Sequence, residues 1–562
     1  MSARKSISTR LFTCLTTVAL FVSEAPFASA QAPKLGREYY EDNVDLGFKV
    51  KMPKDWEFIP PQPGEDELIG KFTPEFNKRI DFAGGRDSLW LDAYLLKFDR
   101  RGEDDKRAFD FDRALDKAVD STYRYTAKKL ERIETKDLKI DKVPSKEVLY
   151  KGLTGETEVH VYAMQYFLSD DLVVAYLFDA PAERKKWRKW EPSITKLCKS
   201  FKRVEVELVD GGEVKEGDSV YRSSKRGALM KEVRKNPGWQ LVETENYFII
   251  TSSEEREFVK ELETRLEAIR DIYEKLYPLR DAERVRLKMA KRVSEAKEQK
   301  RKERDERGEE DEGDRDRTTA GGPTPLELSR CSVVRVCKSR GQYMEYGGPP
   351  GSAGYWNYRD EELVLYDDKG GGGRGDTWAV LNHEAFHQYI FYFYGNLAPH
   401  SWYNEGTGDF FSGYQLKAGR FTLKPFDWRV QTIRDAIKSD DYVPMPEFFR
   451  YTQQEYYAEG GRNYAQGWSL IYFLRTGKKN AKGWNSDWDS ILDDYLDALN
   501  DAWIEVKVQN ILKGGVEIGE DGQITFDFSN SDEDDARAKA VDIAIAGIDW
   551  EEFEAAWKAY TL

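Results

Sequence analysis

Cysteine and histidine are scarce, with four of each in 562 residues. Four cysteines, one of them (Cys14) inside an N-terminal apolar run, cannot make the dense disulfide framework of a small secreted scaffold. Positive charge is not in excess either. Lys+Arg number 87 against 102 Asp+Glu, a formal net charge of −15. With no extended basic stripe, nucleic acid is not an expected partner. Past residue 30 no apolar run is long enough to cross a bilayer, and the mean hydropathy is −0.71, so stable membrane insertion is not expected. Nothing in the sequence signals an oligomeric state. Hydrophobic residues make up 40% and aromatics 13%, enough to build packed cores, which excludes a wholly disordered chain. The length allows roughly three or four domains.

The first thirty residues have the form of a cleavable signal peptide. Arg4, Lys5 and Arg10 precede an apolar run from Leu11 to Val22, and Ala28-Ser29-Ala30 is a small-residue cleavage site. The mature chain is expected to begin near Gln31 and to be secreted or periplasmic. Losing three basic residues and one acidic residue takes −15 to −17. Cys14 lies inside the apolar run, which points to free export and not to a lipid anchor. Cys331 and Cys337 flank a predicted strand, and six strand steps of about 20 Å exceed disulfide reach. Buried thiols are the expectation for these two and for Cys198.

Residues 31–205 alternate strands with some helix. Gly47 to Pro53 followed by Trp56 predicts a strand meeting a proline, residues 158–168 and 172–178 predict a hairpin, and 182–201 predict a closing helix. His160 alternates with apolar residues on its strand and is expected to face water. This part resembles the small α/β sandwich domains of the PsbP/Mog1 type, which open with a similar stretch. Residues 206–240 read as a connector. A strand at 247–251 and a helix at 254–277, capped by Ser252 or Ser253, open the next unit, 241–425. Between Lys297 and Arg317 every residue except Gln299, Gly308 and Gly313 is charged, so a disordered charged insertion is expected at 286–325. Leu363–Tyr366 is a further predicted strand, expected at a sheet edge where an extended peptide can pair. From Thr377 the pattern is helical nearly to the end, apart from an acidic, Gly-containing stretch at about 514–535, making 426–562 a helical C-terminal lobe.

Two of the four histidines fall in His383-Glu384-Ala385-Phe386-His387. Positions i and i+4 share a helix face, so both imidazoles can reach one metal ion. Glu384 can address a water there without being a ligand. On the next predicted helix, opened by Ser401 as cap, Glu405 can complete a His₂Glu set. Asp409, at i+4 from Glu405, can accept a hydrogen bond from the far nitrogen of a ligand histidine. His400, in the loop before Glu405, reads as a surface residue, with substrate contact as the alternative.

At these residues the sequence resembles the gluzincin metallopeptidases, which carry H-E-x-x-H on one helix and a Glu in an N-E-G-type motif on the next; here that motif is Asn404-Glu405-Gly406. It looks most like exported peptidase-MA-like proteins, over residues 245–275 and 331–475. The spacing from His387 to Glu405 is slightly shorter than in the aminopeptidase and thermolysin branches, and no aminopeptidase G-x-M-E-N motif precedes the helix. The resemblance implies an α+β chain: a small N-terminal α/β sandwich domain, then a zincin-like catalytic domain with a mostly helical C-terminal lobe. It implies Zn²⁺ held by His383, His387 and Glu405, with Glu384 as catalytic base. It also implies Tyr464 as a phenol near the scissile carbonyl, against the alternative of a packed aromatic. The expected function is that of an exported zinc-dependent metallopeptidase acting on peptides or proteins by Glu-assisted attack of a zinc-bound water. The alternative is a non-catalytic zincin-fold binding or structural protein of the cell envelope.

Overall fold

The computed structural model describes residues 32–74, 92–101, 109–124, 127–207, 215–307, 324–368, 374–393, 397–417, 420–513, 516–518, 524–526 and 529–562. The expected signal peptide, the Gly370–Gly373 run and residues 308–323 of the expected insertion lie outside the described residues. The chain is a mixed α/β protein whose N-terminal region is rich in sheet.

That region comprises β1 (Leu35–Asp42), β2 (Phe48–Pro53), β3 (Trp56–Ile59), β4 (Leu68–Pro74), β5 (Ala93–Asp99), α1 (Phe111–Thr122), β6 (Lys128–Ile140), β7 (Val143–Thr154), β8 (Thr157–Ser169), β9 (Leu172–Pro181), α2 (Arg184–Cys198) and β10 (Lys202–Arg203). A seven-stranded antiparallel sheet runs β3-β4-β5-β9-β8-β7-β6, and β1-β2-β10 form a second sheet. Val159 to Tyr166 of β8 and all of β9 are buried. Both faces of the large sheet are covered. Tyr162, Met164 and Tyr176 pack with Phe48, Trp190 and Ile194 on one side. Val161, Ala163 and Ala175 pack with Leu115 and Val119 of α1 on the other. His160 is therefore buried, not water-facing: its ring stands edge-on to Trp187 at 4.6 Å, and burial pushes its pKa down.

The expected connector is also not a plain linker. It contains α3 (Val220–Lys235), capped by Ser219, and runs into β11 (Gln240–Glu243). Arg222 and Arg226 of α3 grip Glu243, tying helix to strand. β12 (Tyr247–Thr251), α4 (Arg256–Leu276), α5 (Leu279–Arg307), α6 (Pro325–Ser329), β13 (Ser332–Cys337), α7 (Arg340–Glu345), β14 (Gly354–Asn357) and β15 (Glu362–Tyr366) follow. The cap residue of α4 is Glu255 and makes no side-chain cap bond, in place of the expected serine. The sheet order is β11-β12-β13-β15-β14, with β12, β13 and β15 parallel and the two outer strands antiparallel. Cys198, Cys331 and Cys337 are free and buried.

The insertion expected at 286–325 is helical through Arg307. Its few apolar residues explain this: Val293 and Ala296 of α5 bury against Ile504, Val508 and Ile511, far along the chain. Those partners belong to α14 in the remainder: α8 (Arg374–Phe393), α9 (Ser401–Ser412), β16 (Tyr414–Lys417), β17 (Arg420–Leu423), α10 (Asp427–Lys438), α11 (Met445–Phe448), α12 (Gln453–Ala458), α13 (Gly460–Asn480), α14 (Ile491–Lys513), β18 (Val516–Ile518), β19 (Ile524–Phe526), α15 (Asn530–Ala544) and α16 (Trp550–Thr561). The hairpin β16–β17 interrupts the expected run of helices, and β18–β19 falls in the acidic, Gly-containing stretch excepted from it. Among the described residues no helix is long and apolar enough to cross a membrane.

Candidate metal centre

Helix α8 is held by its own buried polar groups as well as its apolar face. Phe386, Tyr389 and Ile390 enter the core beside Leu262 and Leu266 of α4. Asn382, 1% exposed, donates from Nδ2 to the carbonyls of Phe411 and Tyr414, and Gln388 donates to the carbonyl of Val333. These bonds satisfy groups that would be costly to bury alone and fix α8 against α9 and the sheet. Helix α9 approaches α13 closely enough that a Cβ on Gly406 would lie 2.6 Å from the carbonyl oxygen of Gly467. A Cβ on Gly408 would lie 2.8 Å from Cε1 of His383. The two glycines let α9 meet α13 on one side and a histidine ring on the other.

The facing side chains converge. His383 Nε2 lies 3.1 Å from Glu405 Oε2, and His387 Nε2 lies 3.4 Å from the same oxygen. The ligand-type atoms of the three side chains fall within 4.8 Å of one another. The far ring nitrogens are engaged as well. His383 Nδ1 is 3.2 Å from Asp409 Oδ1, and His387 Nδ1 is 3.0 Å from Asn404 Oδ1. Protons on both Nδ1 atoms leave both Nε2 lone pairs facing Glu405, the arrangement a divalent cation requires of imidazole. The donor set, two nitrogens and one carboxylate oxygen, suits zinc and leaves room for a fourth donor. All three side chains are nearly buried, at 8–11% exposure.

Burial alone would lower the pKa of His383, but hydrogen bonds to Asp409 and Glu405, with the charges of Asp409 and Glu384, raise it to about 10. Burial alone would raise that of Glu405, yet the charge of His387 and hydrogen bonds from both imidazoles hold it well below the usual carboxylate range. A metal at the site therefore competes with a proton for the imidazole of His383.

Glu384 stands apart from the cluster. Its Oε2 accepts a hydrogen bond from the backbone N–H of Trp356 at 3.0 Å. Trp356 lies on β14, so the edge strand beside the site is Gly354–Asn357. Leu363–Tyr366, expected at the edge, is instead interior, paired with β13 on one side and β14 on the other. His400, not Ser401, is the cap residue of α9. Its ring is partly buried: burial, then the charge of Arg537, depresses its pKa to about 3.

Tyr464, placed near the site by sequence, lies under Arg429, whose guanidinium is 4.9 Å from the ring centre. Arg429 in turn reaches Asp409, Nε to Oδ2 at 2.6 Å. Burial and the nearby charge of Glu405 raise the Tyr464 pKa. A second phenol went unpredicted. Tyr457 donates its hydroxyl to Glu405 Oε1 at 2.7 Å, while the residue as a whole is 38% exposed. Arg429, Tyr457 and Trp356 carry no local sequence signal. Asn404 did, as the residue preceding Glu405 in the motif.

Asp409→Ala removes both the partner of His383 and the partner of Arg429. Zinc affinity is expected to fall roughly 10–100-fold in a competitive chelator titration. An unchanged affinity would contradict the role assigned to Asp409.

No family model matches the chain, and no curated protein matches it. Among solved structures, it is similar to cyanobacterial PsbP (CyanoP) from Synechocystis sp. PCC 6803, at 14% identity and a TM-score of 0.23, covering 32% of this chain and 99% of that one. It is similar to LpqN of Mycobacterium tuberculosis, described as involved in cell envelope biogenesis, at 12% identity and a TM-score of 0.20, covering 28% and 86%. The Saccharomyces cerevisiae Ran-binding protein Mog1p gives 10% identity and a TM-score of 0.21, covering 31% and 97%. Likenesses this slight carry no reading of function.

Proposed function

We propose that this chain is an exported zinc-dependent peptidase of the gluzincin type, with a zincin-like catalytic domain that hydrolyses peptides or proteins outside the cytoplasm. One observation carries the reading. Two imidazole nitrogens and one carboxylate oxygen on adjacent helices turn toward one point, each imidazole held from behind, with a further carboxylate one residue away and outside the cluster. A zinc site that serves only to staple helices has no use for that extra carboxylate.

His383, His387 and Glu405 would hold the metal. When bound, zinc supplies a Lewis acid for the scissile carbonyl and acidifies water. Glu384 keeps Oε2 on the Trp356 N–H and uses Oε1 to take a proton from the attacking water, then returns it to the leaving nitrogen. Tyr457 orients Glu405 through its hydroxyl. Tyr464, its ring beside that of Tyr457 and under Arg429, is the phenol assigned to the developing oxyanion. The test is digestion of a mixed peptide library by the zinc-loaded mature chain beside its Glu384→Gln variant. Identical product patterns and rates would refute the proposal.

A further inference from the structure

The edge strand that touches Glu384 is tied, through a short helix, to the N-terminal sheet region. Ile59 at the end of β3 is buried in the same cluster as Val333 and Val364 of the five-stranded sheet, Tyr343 of α7 and Tyr346, the residue that caps α7. Lys71 of β4 reaches Asp92 at 2.9 Å and Glu345, the last residue of α7, at 2.5 Å. Both carboxylates are largely buried. Gln62 donates from Nε2 to the carbonyl of Tyr346. The next residue, Gly347, has φ +107°, and a Cβ there would overlap the Gln62 amide. The N-terminal region thus grips the C-terminal end of α7 by a partly buried cation and an amide.

The grip continues to the site. Tyr343 of α7 bonds Ser352 through its hydroxyl, its carbonyl accepts from Gly348 N–H at 2.9 Å, and its ring lies 6.0 Å from Tyr355. The segment 347–353 is therefore fastened to α7 just before β14 begins. The residue after Tyr355 is Trp356, whose N–H meets Glu384.

We infer that residues 32–205 are a permanent positioning element of the catalytic cleft, with Gln62 and Lys71 as the positioning residues that set the edge strand against Glu384 through α7. They are not a propeptide whose removal activates the enzyme. The kinetic part of this inference rests on the peptidase reading; the structural part does not. Helix α7 and its loop move with the N-terminal region, and a slack rim changes where the carbonyl of a bound peptide lies relative to Glu384. Small displacements of that kind weaken the chemical step more than binding.

The experiment uses the full mature chain with zinc. Hydrogen–deuterium exchange is read over residues 340–357 in wild type, Gln62→Ala, Lys71→Met and Lys71→Arg, together with zinc content and peptide kinetics. Lys71→Met leaves Asp92 and Glu345 facing each other and can unfold locally; Gln62→Ala removes only an amide and keeps the test sharp. The expected result is exchange over 340–357 several-fold faster in Gln62→Ala and Lys71→Met, unchanged zinc content, and kcat lower by between about tenfold and a hundredfold at similar KM. Lys71→Arg is expected to restore both. Unchanged exchange over 340–357 overturns the inference, as does faster exchange with undiminished kcat. If wild type binds zinc but cleaves nothing, the peptidase reading fails, and the exchange comparison still decides whether the clamp exists.

Discussion

Glu384→Gln is expected to keep one zinc ion per chain and to lose peptide hydrolysis, with kcat down by about 10²–10⁴-fold. The substitution is nearly isosteric. The Gln carbonyl can accept the Trp356 N–H as Glu384 Oε2 does now, so edge strand and helix keep their relation. Glu384 is not among the three converging donors, so the metal stays. What disappears is the ability to take a proton, and the fall in rate isolates that step from binding and folding. Wild-type rates in this variant would leave a zinc-binding protein of another kind.

Glu405→Gln is expected to abolish stoichiometric zinc binding. The carboxylate is the only anionic donor of the three, and its oxygen lies within 3.4 Å of both imidazole nitrogens. A neutral amide offers a weaker donor, and the unchanged Tyr457 hydroxyl, now 2.7 Å from Oε1, remains to bond the amide instead. Zinc that binds only the folded chain stabilises it by about 4 kcal/mol at a thousandfold excess over Kd. In wild type, added zinc should therefore raise the thermal midpoint; in Glu405→Gln it should not. A midpoint that rises equally in both would place the metal elsewhere.

What could be read from the sequence is local. His383 and His387 share a face because one helix carries both, and Asp409 follows Glu405 by one turn, so a short-range rule brings each pair together. Only the meeting of α8 with α9 is long-range, and the order of the two motifs hinted at it. The features that sequence missed depend on distant packing. Tyr457 and Glu405 are 52 residues apart, and nothing near either announces the bond. The strand Gly354–Asn357 went unpredicted because it is four residues long and follows a Gly/Pro-rich stretch. It becomes the edge strand only by pairing with β15. His160 was misplaced because alternation identifies one buried face, whereas β8 is covered on two. The charged part of helix α5 reads as solvated because its buried side chains there, Val293 and Ala296, find their partners on the distant α14.

X-ray absorption at the zinc edge of the purified mature chain tests the two-helix site most directly. The expected shell holds two imidazole nitrogens at about 2.0–2.1 Å and oxygens at about 2.0–2.2 Å, with no sulfur. A sulfur neighbour at about 2.3 Å, a shell without imidazole, or a chain that takes up no zinc would contradict it.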